Sequence, residues 1–172
     1  MRMSSYEKIN EEIQNVITKA GESGEISSVH AIIWPSVVKL EVFFRKTGDI
    51  RALEDQIFIL FQMQDNIFRA SYLKDAYVIC KRILDLRPDD EAAKHSITDH
   101  IIPYFKTDWS FMKNDIKTDE DKKEYDELME SQNNIESDLD SYFLECKKDE
   151  FALFLDDGAN NFNSQGNNVG EK

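Results

Sequence analysis

Cysteine, proline and glycine are all scarce in this 172-residue chain, at 2, 3 and 6 residues. The two thiols, Cys80 and Cys146, lie far apart and outside any CxxC pair. They form neither a disulfide framework nor a spaced zinc site, and read as small core hydrophobes in a reducing, cytoplasmic setting. So few Gly and Pro argue against a turn-rich β-sandwich and for helices with short joints. No apolar run approaches the ~18 residues of a membrane span. Residues 1–20 mix charges with apolar residues at helical spacing, unlike the uninterrupted apolar stretch of a signal peptide. Positive charge is short as well: 21 Lys and Arg stand against 34 Asp and Glu, a net of −13. That removes the basic footprint nucleic-acid binding needs. Neither nucleic acid nor membrane is an expected partner.

What is present is a core. The chain is 41% hydrophobic and carries 11 Phe, 6 Tyr and 2 Trp, which excludes full disorder. Tyr6, Ile9, Ile13, Val16, Ile17 and Ala20 recur mostly at steps of three and four, one face of a helix that Ser4 or Ser5 opens. Pro35 suits a first helical turn, so the second helix is expected over 35–46, with Gly48 at its C′ position and Asp49 as the next N-cap. A third helix is expected over 50–70, a fourth over 73–86, and a fifth from about 91 to 102, ended by Pro103. The fold class is all-α: six to seven helices in consecutive antiparallel hairpins, helical-repeat-like or an irregular bundle. The expected core is Ile13, Val16, Leu40, Phe44, Ile57, Leu60, Phe61, Ala76, Cys80, Ile83 and Leu84.

Charge is segregated. Residues 118–157 hold 15 acidic and 4 basic side chains, a net of −11, whereas residues 1–117 hold 18 and 16, a net of −2. Thr118 with Asp121 reads as a capping box opening a long charged helix over 118–157. After it the run from Gly158 to Lys172 is polar and rich in Gly and Asn, and reads as a disordered tail. The expected organisation is one helical domain, 1–157, with the tail 158–172.

Ala76, Cys80, Ile83 and Pro88, followed by Asp89 and Asp90, resemble the second helix of a tetratricopeptide repeat. A small residue there permits close helix approach, and proline ends the hairpin. The resemblance covers 57–90. The first helix departs from the family pattern, with Gln64 and Ile67 where Gly and Tyr belong, and no second copy appears 34 residues away. The resemblance implies an adaptor that binds a short peptide in a concave groove around Gln64, Phe68 and Arg69.

No motif carries catalysis. GxSxG, GxGxxG and GxxxxGK are all missing, and neither cysteine has a motif-level histidine partner. Glu91, His95 and Asp99 share a helix face at i,i+4 spacing, a pattern that reads as a solvated stripe rather than a metal site. No catalytic residue, metal or cofactor is assigned, and the chain reads as non-enzymatic. The remaining signal is the acidic stretch, whose one-signed field would steer and select a basic protein. Glu124, Glu127, Glu130, Glu136, Asp138 and Asp140 are the expected partner-binding residues. The reading is capture of a basic protein, as by a toxin-neutralising immunity protein or an effector chaperone.

Overall fold

The computed structural model describes residues 3–22, 26–66 and 69–148, and within these it is all-α, with no strand. The helices are α1 (Ser5–Glu22), α2 (Ile26–Thr47), α3 (Arg51–Asn66), α4 (Ala70–Leu86), α5 (Glu91–His95), α6 (Ile102–Lys106), α7 (Asp119–Ser131) and α8 (Ile135–Lys148). A π turn, Ser96–Ile101, joins α5 to α6, and a 3₁₀ turn, Ser110–Asp115, precedes α7. Phe68 and residues 149–172, the polar tail included, lie outside the described residues. The described residues divide into two compact units, 3–59 with 146–148, and 60–145.

In the first unit α1 begins on a reciprocal cap. The Ser4 hydroxyl accepts from the Glu7 amide at 3.2 Å, and the Glu7 carboxylate accepts from the Ser4 amide at 2.6 Å. The ring of Tyr6 meets Phe43 at 6.3 Å between centroids, while Glu12 pairs with Lys39, so α2 runs back along α1. Tyr6 also donates to Asp55 at 2.6 Å under the Arg51 guanidinium, tying α1 to α3. Gly48 ends α2 at φ 68°, a left-handed conformation that favours glycine, and its amide donates to the Phe44 carbonyl at 2.7 Å. Asp49 then accepts from the Arg51 amide at 3.1 Å and opens α3. Ile13, Val37, Val38, Leu40, Leu53 and Ile57 form the buried face.

Two prolines behave differently from the sequence expectation. α2 starts nine residues before Pro35, which sits inside the helix rather than in its first turn. Burial of Ile33 on one side and of Val37 and Val38 on the other offsets the hydrogen bond proline cannot make. Pro103 opens α6 instead of ending a helix. The π turn upstream sends the Ile102 amide to the Ile97 carbonyl, five residues back, so proline arrives where a new first turn tolerates it.

In the second unit α4 is the most buried element, with Tyr72, Leu73, Ala76, Tyr77, Val78, Ile79, Cys80 and Ile83 inside. It packs on α5 and the π turn along one side and on α7 along another. Leu60, Met63, Ile101, Phe105, Leu128 and Leu139 complete this core. Burial pushes the Cys80 thiol up to about 12, which makes it an inert packing group. Of the expected core, Ile13, Leu40, Ile57, Leu60, Ala76, Cys80 and Ile83 are buried, while Val16, Phe44, Phe61 and Leu84 are only partly so. Phe61 instead meets the His100 ring at 5.6 Å.

The acidic stretch contains two helices, not one. Thr118 and Asp121 form the expected capping box, with amide-to-side-chain distances of 3.0 and 2.9 Å. α7 stops at Ser131, and α8 restarts at Ile135 after a turn through Gln132, Asn133 and Asn134. Two adjacent Asn compete with the helix ladder through their own side chains, and Ser131 donates across the turn to Asp138 at 3.0 Å.

Leu60 is fully buried, with 0% of its surface exposed. Leu60→Ala is expected to cost ~2–5 kcal/mol of unfolding free energy in denaturant titration. A loss under ~1 kcal/mol would be at odds with that burial.

Candidate functional site

The acidic residues on α7 and α8 are not a uniform solvated face. α4 presents a tyrosine, two lysines and an aspartate toward α8, and several carboxylates are engaged there. Tyr77 donates to Asp140, which also lies 3.4 Å from the Lys81 ammonium. Asp138 lies 3.6 Å from Lys74 and accepts from Ser131. In the opposite sense, Tyr142 of α8 donates to Asp75 of α4 at 2.7 Å, with the Lys74 ammonium 5.8 Å from the centre of the Tyr142 ring. Pairing 77 with 140 and 75 with 142 shows that α8 runs antiparallel to α4.

Glu124 has a different task. Its carboxylate accepts from the Ala70 amide at 3.2 Å, satisfying an orphan donor at the N-terminus of α4. Arg69, the N-cap residue, offers no side-chain cap of its own, and its guanidinium reaches Glu120 at 2.8 Å. Burial, then the charge of Glu127, holds Glu124 above the usual carboxylate range.

The six expected binding residues therefore separate. Glu124, Asp138 and Asp140 are committed to α4 or to the α7–α8 turn. The half-buried Glu127 lies 3.9 Å from Lys123 and the exposed Glu136 3.9 Å from Lys106, both at the outer limit of an ion pair. Glu130 is exposed. These last three form the outward part of the acidic surface. Of the alternative groove residues, Gln64 is buried and its side-chain oxygen accepts from the Arg69 amide at 3.2 Å, so both close the junction before α4. Phe68 lies outside the described residues.

Nothing else converges on chemistry. His95 Nδ1 lies 2.7 Å from Asp99, and Glu91 pairs with Lys94 at 3.0 Å, each on an exposed helix face. Among the described residues no group of three His, Cys, Asp or Glu side chains is placed to hold a metal ion. Sequence reasoning missed Asp75, Tyr77 and Tyr142 as a set. The available signal was an acid lodged in the apolar run of α4, between Leu73 and Ala76, where a solvated carboxylate does not belong.

Burial raises Asp75 to about 7, against the opposing pull of the Tyr142 hydrogen bond and the Lys74 charge. The native state thus binds the Asp75 proton more tightly than the unfolded chain, whose carboxyl titrates near ~4. Stability from this group is fully present below the unfolded value and is lost as pH rises through about 7. Asp75→Asn keeps an acceptor for Tyr142 and removes the titration. It is expected to match the parent at pH 4 and to exceed it by ~1–2 kcal/mol at pH 8, since a partial solvent path softens the full burial effect. Parallel denaturant melts across that range check this, and equal stabilities at pH 8 would contradict a raised Asp75. No family model, curated protein or solved structure matches the chain.

Proposed function

We propose that this chain is a non-enzymatic interaction protein that captures a basic protein partner through the outward acidic surface of α7 and α8. The setting is the cytoplasm, and an immunity protein that neutralises a toxin or a chaperone for an effector is the type of activity that fits. The observation that carries the reading is the charge of this surface. Residues 119–145 hold 11 acidic and 2 basic side chains, and Glu130 and Glu136 stay exposed with Glu127 half-buried beside them, while Glu124 and Asp140 fasten the helices to α4. Fastening matters because a field from a fixed surface is oriented before the partner arrives, which raises the association rate and rejects acidic competitors. The surface occludes its partner sterically once bound, and no bond-making step is involved.

The triple reversal Glu127→Lys, Glu130→Lys and Glu136→Lys tests this while leaving the residues that hold α4 in place. It changes the net charge from −13 by +6, to −7. Folding is expected to survive, since exposed charges are each worth under ~1 kcal/mol. A basic partner recovered from the native source should associate about tenfold or more slowly at low salt, with the difference closing at high salt. Unchanged low-salt association would sink electrostatic capture. Salt-insensitive binding of a short peptide would favour the tetratricopeptide-like adaptor instead.

A further inference from the structure

α1 and α2 share a groove of about 330 Å³ within the first unit, a volume in the range of sites that hold small ligands. Ile13 and Val16 of α1 and Ser36 of α2 line it, with Glu12, Asn15, Lys19 and Lys39 around them. Ser36 is the informative residue. It is only 4% exposed, yet its hydroxyl makes no hydrogen bond among the described residues. A serine or threonine inside a helix commonly bonds back to the carbonyl four residues earlier, and Thr18 and Thr47 do so at 2.9 and 2.8 Å. Ser36 lines the groove instead. A buried hydroxyl left without a partner is costly, and a polar group of a ligand would supply one.

The other lining residues define what that ligand is. Val16 belongs to the apolar stripe of α1, one turn from the buried Ile13, yet it stays partly open. An apolar group seated over it would take surface out of water on both sides. Glu12 pairs with Lys39, whereas Lys19 is exposed and has no ion-pair partner among the described residues. One carboxylate against two ammoniums gives the lining a net of +1, in a chain whose net is −13. A carboxylate can accept from a hydroxyl and from an ammonium at once, and an alkyl chain attached to it would cover Val16. An inorganic anion would leave the apolar floor wet, and a neutral amphiphile would leave Lys19 unused. We propose that the groove of α1 and α2 binds a small aliphatic carboxylate, with its alkyl chain on Ile13 and Val16 and its charged end held by Ser36 and Lys19.

Octanoate titrated at neutral pH into the full-length, methyl-labelled protein tests this. The expected result is saturable shifts centred on the Val16 and Ile13 methyls, with a Kd on the order of 1 mM, as suits a ligand of about ten heavy atoms. Lys19→Met, at an exposed position that the fold does not need, should weaken octanoate about threefold at low salt and less at high salt. It should leave octanamide, the uncharged analogue, unaffected. Ser36→Ala should weaken both ligands about fivefold, while its thermal stability stays level or rises because an unpartnered hydroxyl is gone. A merely structural serine would lower stability and leave both affinities alone. Octanoate shifts that fail to saturate, or that centre away from Val16, would overturn the proposal. Equal affinities for octanoate and octanamide, with Lys19→Met without effect, would overturn it as well. Val16 shifts that follow protein concentration, with octanoate having no effect on them, would assign the groove to a second copy of the chain and overturn the carboxylate site.

Discussion

The arrangement of the second unit depends on one crossed exchange of hydrogen bonds between α4 and α8. A tyrosine of α4 donates to an aspartate of α8, Tyr77 to Asp140, and a tyrosine of α8 returns the bond to an aspartate of α4, Asp75. Each helix supplies one phenol and one carboxylate, so sliding or rotating one against the other breaks both bonds together. Lys74 and Lys81 sit beside the pairs and reduce the cost of bringing carboxylates to a largely apolar helix. With α8 fixed in this way, and Ser131 bonded to Asp138 across the intervening turn, α7 is held in place to bring Glu124 to the Ala70 amide.

Under the proposed capture of a basic partner, acidity does two kinds of work in a single stretch of chain. The inward carboxylates are structural, and their number lowers the count free to meet a partner. They also bring the backbone of α7 and α8 into a fixed frame, so the outward ones act from known positions. Repulsion among so many like charges would by itself loosen the two helices. The hydrogen bonds to tyrosine, serine and backbone amides, and the flanking lysines, are what offset it.

Much of this was readable from residues alone where the determinant is local. Gly48, Asp49 and the Thr118–Asp121 box are short-range devices whose geometry follows from the chain within four residues, and the structure shows each of them. Leu60, Ile57 and Ile83 followed from helical spacing. What escaped is set by partners distant in sequence. Nothing near Asp75 announces that Tyr142, 67 residues on, will meet it, and nothing near Glu124 points to the amide of Ala70. Pro35 misled because its local cost is outweighed by apolar residues packing on both sides of it. Asn133 and Asn134 interrupt a stretch whose charge pattern alone reads as continuous. The outward or inward direction of each acid was the least legible quantity, since helical spacing ranks faces only where apolar residues mark them, and α7 has few.

The π turn between α5 and α6 bears on what changes of length the fold tolerates. A π turn holds one residue more than the α-helical turn it replaces. Removing one residue there would close the turn to the ordinary four-residue bond and leave everything downstream at about its present azimuth. Phe105, fully buried, and Trp109, whose indole nitrogen donates to the Tyr104 carbonyl at 2.7 Å, would keep their side of the helix. What the deletion would remove is the break in the hydrogen-bond ladder that Pro103 needs, so the extra residue makes room for a proline rather than setting an azimuth.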